Sequence, residues 1–186
     1  QEFINGTGWV ATDIFDISFT AMTEKSIIVK CDGATIKAKD GLRFGVFSKT
    51  TGEPFQTTMP FYPGTPSWDS ESQLAARVGV GHLMNFENIK NLAIYGNMKL
   101  DGNRDGAIIG GQYGDVGWQI TAYGLRVCNV EKFSIENIDT YDHLLDGLYI
   151  AGCNSKTSPD VFNPNYSGSI RNVHSLRNSR QGCSFT

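Results

Sequence analysis

The fold is decided by YGLRVCNVEKFSIENIDTYDHLLDGLYIAG (Tyr123–Gly152) and by SGSIRNVHSLRNSRQGCSFT (Ser167–Thr186), which follows it after a looped insert. A slide of 35 residues lays the second over the first without a gap. Ile135 then falls on Ile170, Asn137 on Asn172, Ile138 on Val173, Gly147 on Gly182, Leu148 on Cys183 and Ile150 on Phe185. A third copy, LMNFENIKNLAIYGNMKLDG (Leu83–Gly102), aligns at a shift of 41, where Phe86 meets Val127, Leu92 meets Phe133 and Ile94 meets Ile135. Self-similarity at such a period marks a stacked array.

Within each copy apolar residues come in pairs with one residue between them: Leu125 and Val127, Phe133 and Ile135, Leu148 and Ile150. That two-residue period belongs to short strands with one buried face. The breaks fall at Asn, Gly or Asp, which suit turn dihedrals. No copy has room for a helix, so each strand is expected to pair with its equivalent in the next copy. The architecture this predicts is all-β: a single-stranded right-handed parallel β-helix with about three short strands per coil. Asn137 and Asn172 then stack, and their amides either form a ladder of hydrogen bonds or act as ordinary turn residues.

Composition narrows the function classes. The chain has 186 residues, 40% of them hydrophobic, enough for one sizeable core. A formal net charge of -3 argues against a nucleic-acid face. No apolar run approaches the roughly eighteen residues of a membrane-spanning helix, so no membrane insertion is expected. The cysteines (Cys31, Cys128, Cys153, Cys183) lack metal-ligand spacing. Free thiols are expected, with Cys183 pointing inward as a small apolar residue, and a disulfide from Cys153 as the alternative.

In order along the chain, FDISFT near the start alternates as a strand. Residues 23–46 read as the first coil, turning at Asp32-Gly33 and Asp40-Gly41, with Leu42, Phe44 and Val46 pointing inward. Loop inserts are expected at about 47–79, 101–122 and 152–166, within one β-helix domain spanning 1–186. The first insert holds four of the six prolines and the rings of Phe55, Phe61, Tyr62 and Trp68; it is either a binding loop or a cover for the flank. In the second, Asp105-Gly106 reads as part of the excursion or as the start of an inner strand. The chain stops at Ser184-Phe185-Thr186 in mid-strand with no cap. A fragment of a longer protein is therefore expected, or an end covered by another subunit.

Stacked coils put outward side chains in columns, and a polymer lying along them meets equivalent groups at regular intervals. The best column presents Tyr141, Asp142, His143, Asp146 and Tyr149. Tyr123 and Arg126 lie one coil earlier; Arg177, Arg180, Gln181 and Ser184 lie one coil later. Carboxylates and imidazole can move protons, arginine can hold an anionic group, and rings can stack on pyranose faces. Asp146, His143 and Asp142 are the catalytic candidates. Tyr149, Arg126, Arg180, Arg177, Tyr123 and Trp118 are the substrate-binding candidates. Against this, Asp146-Gly147 is also a turn pair, Asp142 can cap that turn, and His143 can be merely solvated. Arg180 and Arg177 can pair with Asp146 and Asp142 across coils.

LDGN after IYG, NIDTYDHLLDGLYI and NVHSLRNSRQGCSF resemble the pectate-lyase-like right-handed parallel β-helix superfamily, over roughly 26–46 and 80–186. That superfamily includes polysaccharide lyases, polygalacturonase-type hydrolases, mannuronan epimerases and phage tailspike depolymerases. The resemblance implies a polysaccharide depolymerase, a lyase or glycoside hydrolase, that is secreted or carried on a virion tail. The alternative is a non-catalytic structural or receptor-binding module of a virion fibre or surface adhesin. The expected partner is a polysaccharide or cell-surface glycan, with a homotrimer as one assembly and no nucleic acid. The aspartate-glycine step at Asp146 is similar to one that carries a catalytic carboxylate in the hydrolases and epimerases. The hydrolases' aspartate pair one coil later is replaced by Arg180-Gln181-Gly182-Cys183. The epimerases' Asp-Pro-His step one coil earlier is replaced by Ala122-Tyr123-Gly124. The RQG step resembles bacterial and phage proteins whose carboxylates lie in coils further on. No acidic trio is arranged for calcium, so neither a metal nor a cofactor is expected.

Overall fold

A computed structural model describes residues 15–48, 53, 75–78, 81–110, 122–154, 162–163 and 167–186. Trp118, the four rings of the first insert and most of the three expected inserts lie outside the described residues. The described chain is all-β, with no α-helix. Its strands are β1 (Phe15–Lys37), β2 (Arg43–Ser48), β3 (Ala75–Val78), β4 (Met84–Asp101), β5 (Ile108–Gly110) and β6 (Leu125–Tyr141). After them come β7 (Leu148–Ala151), β8 (Cys153–Asn154), β9 (Phe162–Asn163), β10 (Ser167–Leu176) and β11 (Cys183–Phe185).

The main sheet is parallel, and β6 is its hub. Its first part, from Leu125 to Cys128, pairs with Met84 to Glu87 of β4 on one side. On the other side the same residues pair with Leu148 to Ala151 of β7. The second part of β6 pairs with β4, as in Leu92↔Phe133 and Ile94↔Ile135, and with β10, as in Ile135↔Ile170 and Ile138↔Val173. β11 continues the first column through Cys183↔Leu148 and Phe185↔Ile150. β1 lies on the far side of β4, with Ile27↔Leu92 and Val29↔Ile94. Seven of the nine superpositions predicted from the 35- and 41-residue shifts are therefore strand pairs; Asn137/Asn172 and Gly147/Gly182 fall at bends or turns outside the paired registers.

Two-residue alternation explains the core. Met84 and Phe86, Leu125 and Val127, and Leu148 and Ile150 all point inward and are buried. Between them the outward residues are polar. Each fully buried aliphatic side chain contributes about 1.5–3 kcal/mol relative to exposure. Neighbouring layers share space as well: the ring of Phe133 fills the place a side chain would take at Gly168, where a Cβ would lie 2.0 Å from Cζ of that ring.

The strands are longer than the short strands the sequence suggests, because the chain bends at single residues without leaving the sheet. Asn88, Asn129, Asn137 and Asn172 supply four of these bends, with φ of 61°, 52°, 58° and 55°. Asparagine tolerates this left-handed region better than other residues with a Cβ. Their amides stack: Asn172 Nδ2 donates to Asn137 Oδ1 at 2.9 Å, Asn129 donates to Asn88, and Asn88 to the carbonyl of Phe19. The ladder reading of Asn137 and Asn172 thus holds over that of ordinary turn residues. The Asn88–Asn129 ladder is a second one, and the 41-residue shift already superposes these two residues.

The structure settles two further readings. After β4 the chain makes a single 3-10 turn at Arg104–Gly106, and β5 then pairs parallel with β2 in a separate three-stranded sheet. Asp105-Gly106 therefore leads into a short strand whose Ile109 packs against the core, as the inner-strand reading has it, but that strand belongs to this second sheet and not to the main column. The expectation of free thiols is corrected at Cys128, which is disulfide-bonded, while Cys31 and Cys183 are free. Cys128 is on the strand face opposite Val127, so this bond lies outside the apolar column. Cys183 takes Leu148's column, as expected, but is exposed.

Candidate functional site

The outward positions of the first column form one polar row. Pairing places Asp16 beside Asn85, Asn85 beside Arg126, Arg126 beside Tyr149, and Tyr149 beside Ser184. Hydrogen bonds run along it. Asn85 Nδ2 donates to Asp16 Oδ1 at 3.0 Å and to Ser18 Oγ at 2.9 Å. Arg126 Nη1 donates to Asn85 Oδ1 at 2.7 Å and to Glu87 Oε2 at 3.0 Å. This outward face is not an open groove here: Asn85, Glu87, Cys128 and Ala151 are all buried.

Three rings stack beside the row. Tyr123 and Tyr149 lie 4.3 Å apart between centroids at an interplanar angle of 4°. His82 stacks on Tyr123 at 4.9 Å and 21°. The Tyr123 amide donates to His82 Nδ1 at 3.2 Å, a bond that requires that nitrogen to be unprotonated. Burial, reinforced by the Arg126 charge, lowers the His82 pKa to about 3. Burial, then the neighbouring Tyr149 and Asp146, push the Tyr123 hydroxyl up to about 12. At neutral pH the His82 imidazole and the Tyr123 phenol are therefore both uncharged, and that phenol can donate a hydrogen bond.

The catalytic candidates occupy different surroundings. Asp146 is fully buried. Its Oδ1 accepts from Arg180 Nε at 2.8 Å and from the Gln181 amide at 3.1 Å. Its Oδ2 accepts from Ser184 Oγ at 2.7 Å and from Arg180 Nη2. Four hydrogen bonds therefore engage both oxygens of this carboxylate within the turn. His143 is buried, with Nε2 2.8 Å from Thr140 Oγ1. Burial lowers its pKa to about 4, against a hydrogen bond to the Leu100 backbone that raises it. Asp142 accepts from Arg177 through both oxygens, at 2.9 and 2.6 Å, and this hydrogen bonding holds its carboxyl below the usual range.

The structure thus brings Tyr123, Tyr149, Arg126, Arg180 and Asp146 into one neighbourhood. Tyr123 lies within electrostatic reach of Asp146, Arg180 and Arg126, and Tyr149 stacks on it. Asp142 and Arg177 belong to a separate corner, where Arg177 also lies over the Tyr141 ring at 5.5 Å. His82 and Asn85 are the members that the sequence reading missed. Both were in view, 41 residues before Tyr123 and Arg126. Among the described residues no group of three or more His, Cys, Asp or Glu side chains could hold a metal ion, and no helix is long and apolar enough to cross a membrane. Comparisons of the chain with family models, with curated proteins and with solved structures find no match.

Proposed function

We propose that this chain forms a right-handed parallel β-helix that engages a polysaccharide or cell-surface glycan. The fold reading is supported by β6, which pairs in parallel with strands both before and after it in sequence. With no α-helical crossover among the described residues, winding round and returning to the same wall achieves that most simply. Of the known architectures, the stacked-coil solenoid has this pairing.

The functional reading rests on one observation: the half-buried Tyr149 ring, backed by Tyr123, with Arg126 next to it in register and Arg180 within its electrostatic reach. A ring rigidified on one face, with guanidinium groups nearby, suits a sugar bearing an anionic group. We place Asp146, Asp142 and His143 as anchors of the turn between β6 and β7 because each is already engaged. This favours the glycan-holding module, of a virion fibre or adhesin, over a depolymerase that cuts with these three residues. Binding of an acidic polysaccharide, polygalacturonate or alginate, tests it. Tyr149→Ala should weaken binding about tenfold, roughly 1.4 kcal/mol, with the fold retained. Release of oligosaccharides that stops in Asp146→Asn at unchanged stability would restore the depolymerase.

A further inference from the structure

The main sheet carries a second feature away from the tyrosine stack. β1, β4 and β6 meet in register where Ser26 lies beside Asn91 and Asn91 beside Lys132. Two residues further on, Ile28 lies beside Ala93 and Ala93 beside Ser134. Between these two rows, Leu92 and Phe133 turn into the core. The rows therefore stand as two outward ridges roughly 7 Å apart over bare backbone, with rungs about 4.8 Å apart along each. They line an open trough of about 500 Å³, a size at which small-ligand sites occur.

The two ridges differ in chemistry. Ser26, Asn91 and Lys132 offer a hydroxyl, an amide and an ammonium group. Among the described residues, none of these three side chains has a hydrogen-bond or ion-pair partner. The opposite ridge begins with Ile28, 65% exposed, and Ala93. It ends with Ser134, whose hydroxyl donates to Glu136 Oε1 at 3.1 Å and accepts from Ser169 Oγ at 3.2 Å. No carboxylate lines the trough, and its one charged group is Lys132. In the Arg126 row the polar groups satisfy one another, through Asn85 and Glu87. In the trough the polar ridge is left for an outside partner.

We infer that this trough is a second glycan subsite, which holds a stretch of an acidic polysaccharide along the stacking direction. A pyranose has an apolar C–H face and a polar rim, and each finds a matching ridge. Ile28 and Ala93 take the C–H face, Ser26 and Asn91 take ring hydroxyls, and Lys132 takes a carboxylate. The class of ligand rests on the glycan reading above. The place does not, because the trough uses a different part of β4 and β6 from the part that adjoins Tyr149.

Amide chemical-shift mapping of the 186-residue chain with tetragalacturonate tests this. The amides of 26–28, 91–93 and 132–134 should move, in the wild-type chain and in Tyr149→Ala alike. Lys132→Glu should weaken that response about tenfold, with the unfolding midpoint and the movement around Tyr149 unchanged. Asn91→Ala should weaken it with the charge kept. Movement in the trough with none around Tyr149 would support the trough and remove the Tyr149 site. Stillness of the trough amides, whether or not those around Tyr149 move, would overturn it, as would loss of their movement in Tyr149→Ala. Equal movement with poly-L-glutamate would also overturn it, because the trough would then read anionic charge and not sugar.

Discussion

At the scale of single residues, the sheet depends on a few positions where no substitute fits. Gly96 has φ of 108°, and a Cβ there would lie 1.6 Å from the backbone oxygen of Cys31. Backbone of the neighbouring layer cannot swing aside as a side chain can, so Gly96→Ala should cost more than about 3 kcal/mol in urea unfolding. Gly168→Ala, whose Cβ would have three Phe133 ring atoms as its nearest neighbours, should cost less and be relieved by Phe133→Leu. Asp146 gives a second measurement. Replacing it takes from the Arg180 guanidinium, 23% exposed, the carboxylate that it grips through two nitrogens. Asp146→Asn should destabilise the fold by about 3 kcal/mol; a loss of function with unimpaired stability would point back to catalysis. The Asp-Gly pair was visible in sequence as both turn and candidate acid. What decided between them was the convergence of Arg180, Gln181 and Ser184, residues 34 to 38 positions away.

At the scale of elements, the asparagine ladders tie one layer to the next at the bends. Asn129 combines two contributions, a φ of 52° and a donated amide hydrogen bond to Asn88. Asn129→Gly keeps the backbone freedom and loses the bond, so it should cost about 1 kcal/mol; Asn129→Ala loses both and should cost about 2 kcal/mol or more. Equal costs in denaturant unfolding would show that the bend, not the ladder, matters. The strand pairing was legible because an in-register parallel stack writes itself as a fixed shift: Ile135 over Ile170, Phe86 over Val127. The step of 23 residues from Leu125 to Leu148 was harder to see as a repeat, since it carries no turn-sized insert and the second half of its coil follows only after residue 152. β5 was legible only as one of two readings of the stretch after Asp105-Gly106, because three residues, Ile108–Gly110, are too few for alternation to show, and their partner β2 lies in another sheet. Burial of the polar row was illegible for a different reason. Alternation says that Asn85 and Glu87 face away from the core, but not what else packs on that side.

At the scale of the whole molecule, two enclosed histidines, buried His143 and half-buried His82, link stability to acidity. His82 sits under Tyr123 and accepts its amide; His143 is enclosed between Thr140 and the Leu100 backbone. Their folded-state pKa values, about 3 and about 4, lie below the roughly 6.5 of an unfolded histidine. Both are depressed, so between those limits the unfolded chain binds protons that the folded chain refuses. The stabilisation is complete above about pH 6.5 and falls as the pH drops toward 4, by up to about 1.4 kcal/mol per pH unit for each ring. From pH 7 to pH 5 the two together should remove about 4 kcal/mol, a large part of the stability of a domain this size. Below that range Asp142, held ionised by Arg177, adds a loss in the same direction as its carboxyl protonates. Urea unfolding at pH 7, 6 and 5 reads the slope directly. His143→Gln should lower stability at pH 7 but cut the slope by about half, because only His82 then remains to be protonated on unfolding. A stability that stays level from pH 7 to pH 5 would mean that solvent reaches both rings in the folded chain, and the stack of His82, Tyr123 and Tyr149 would then be open to water.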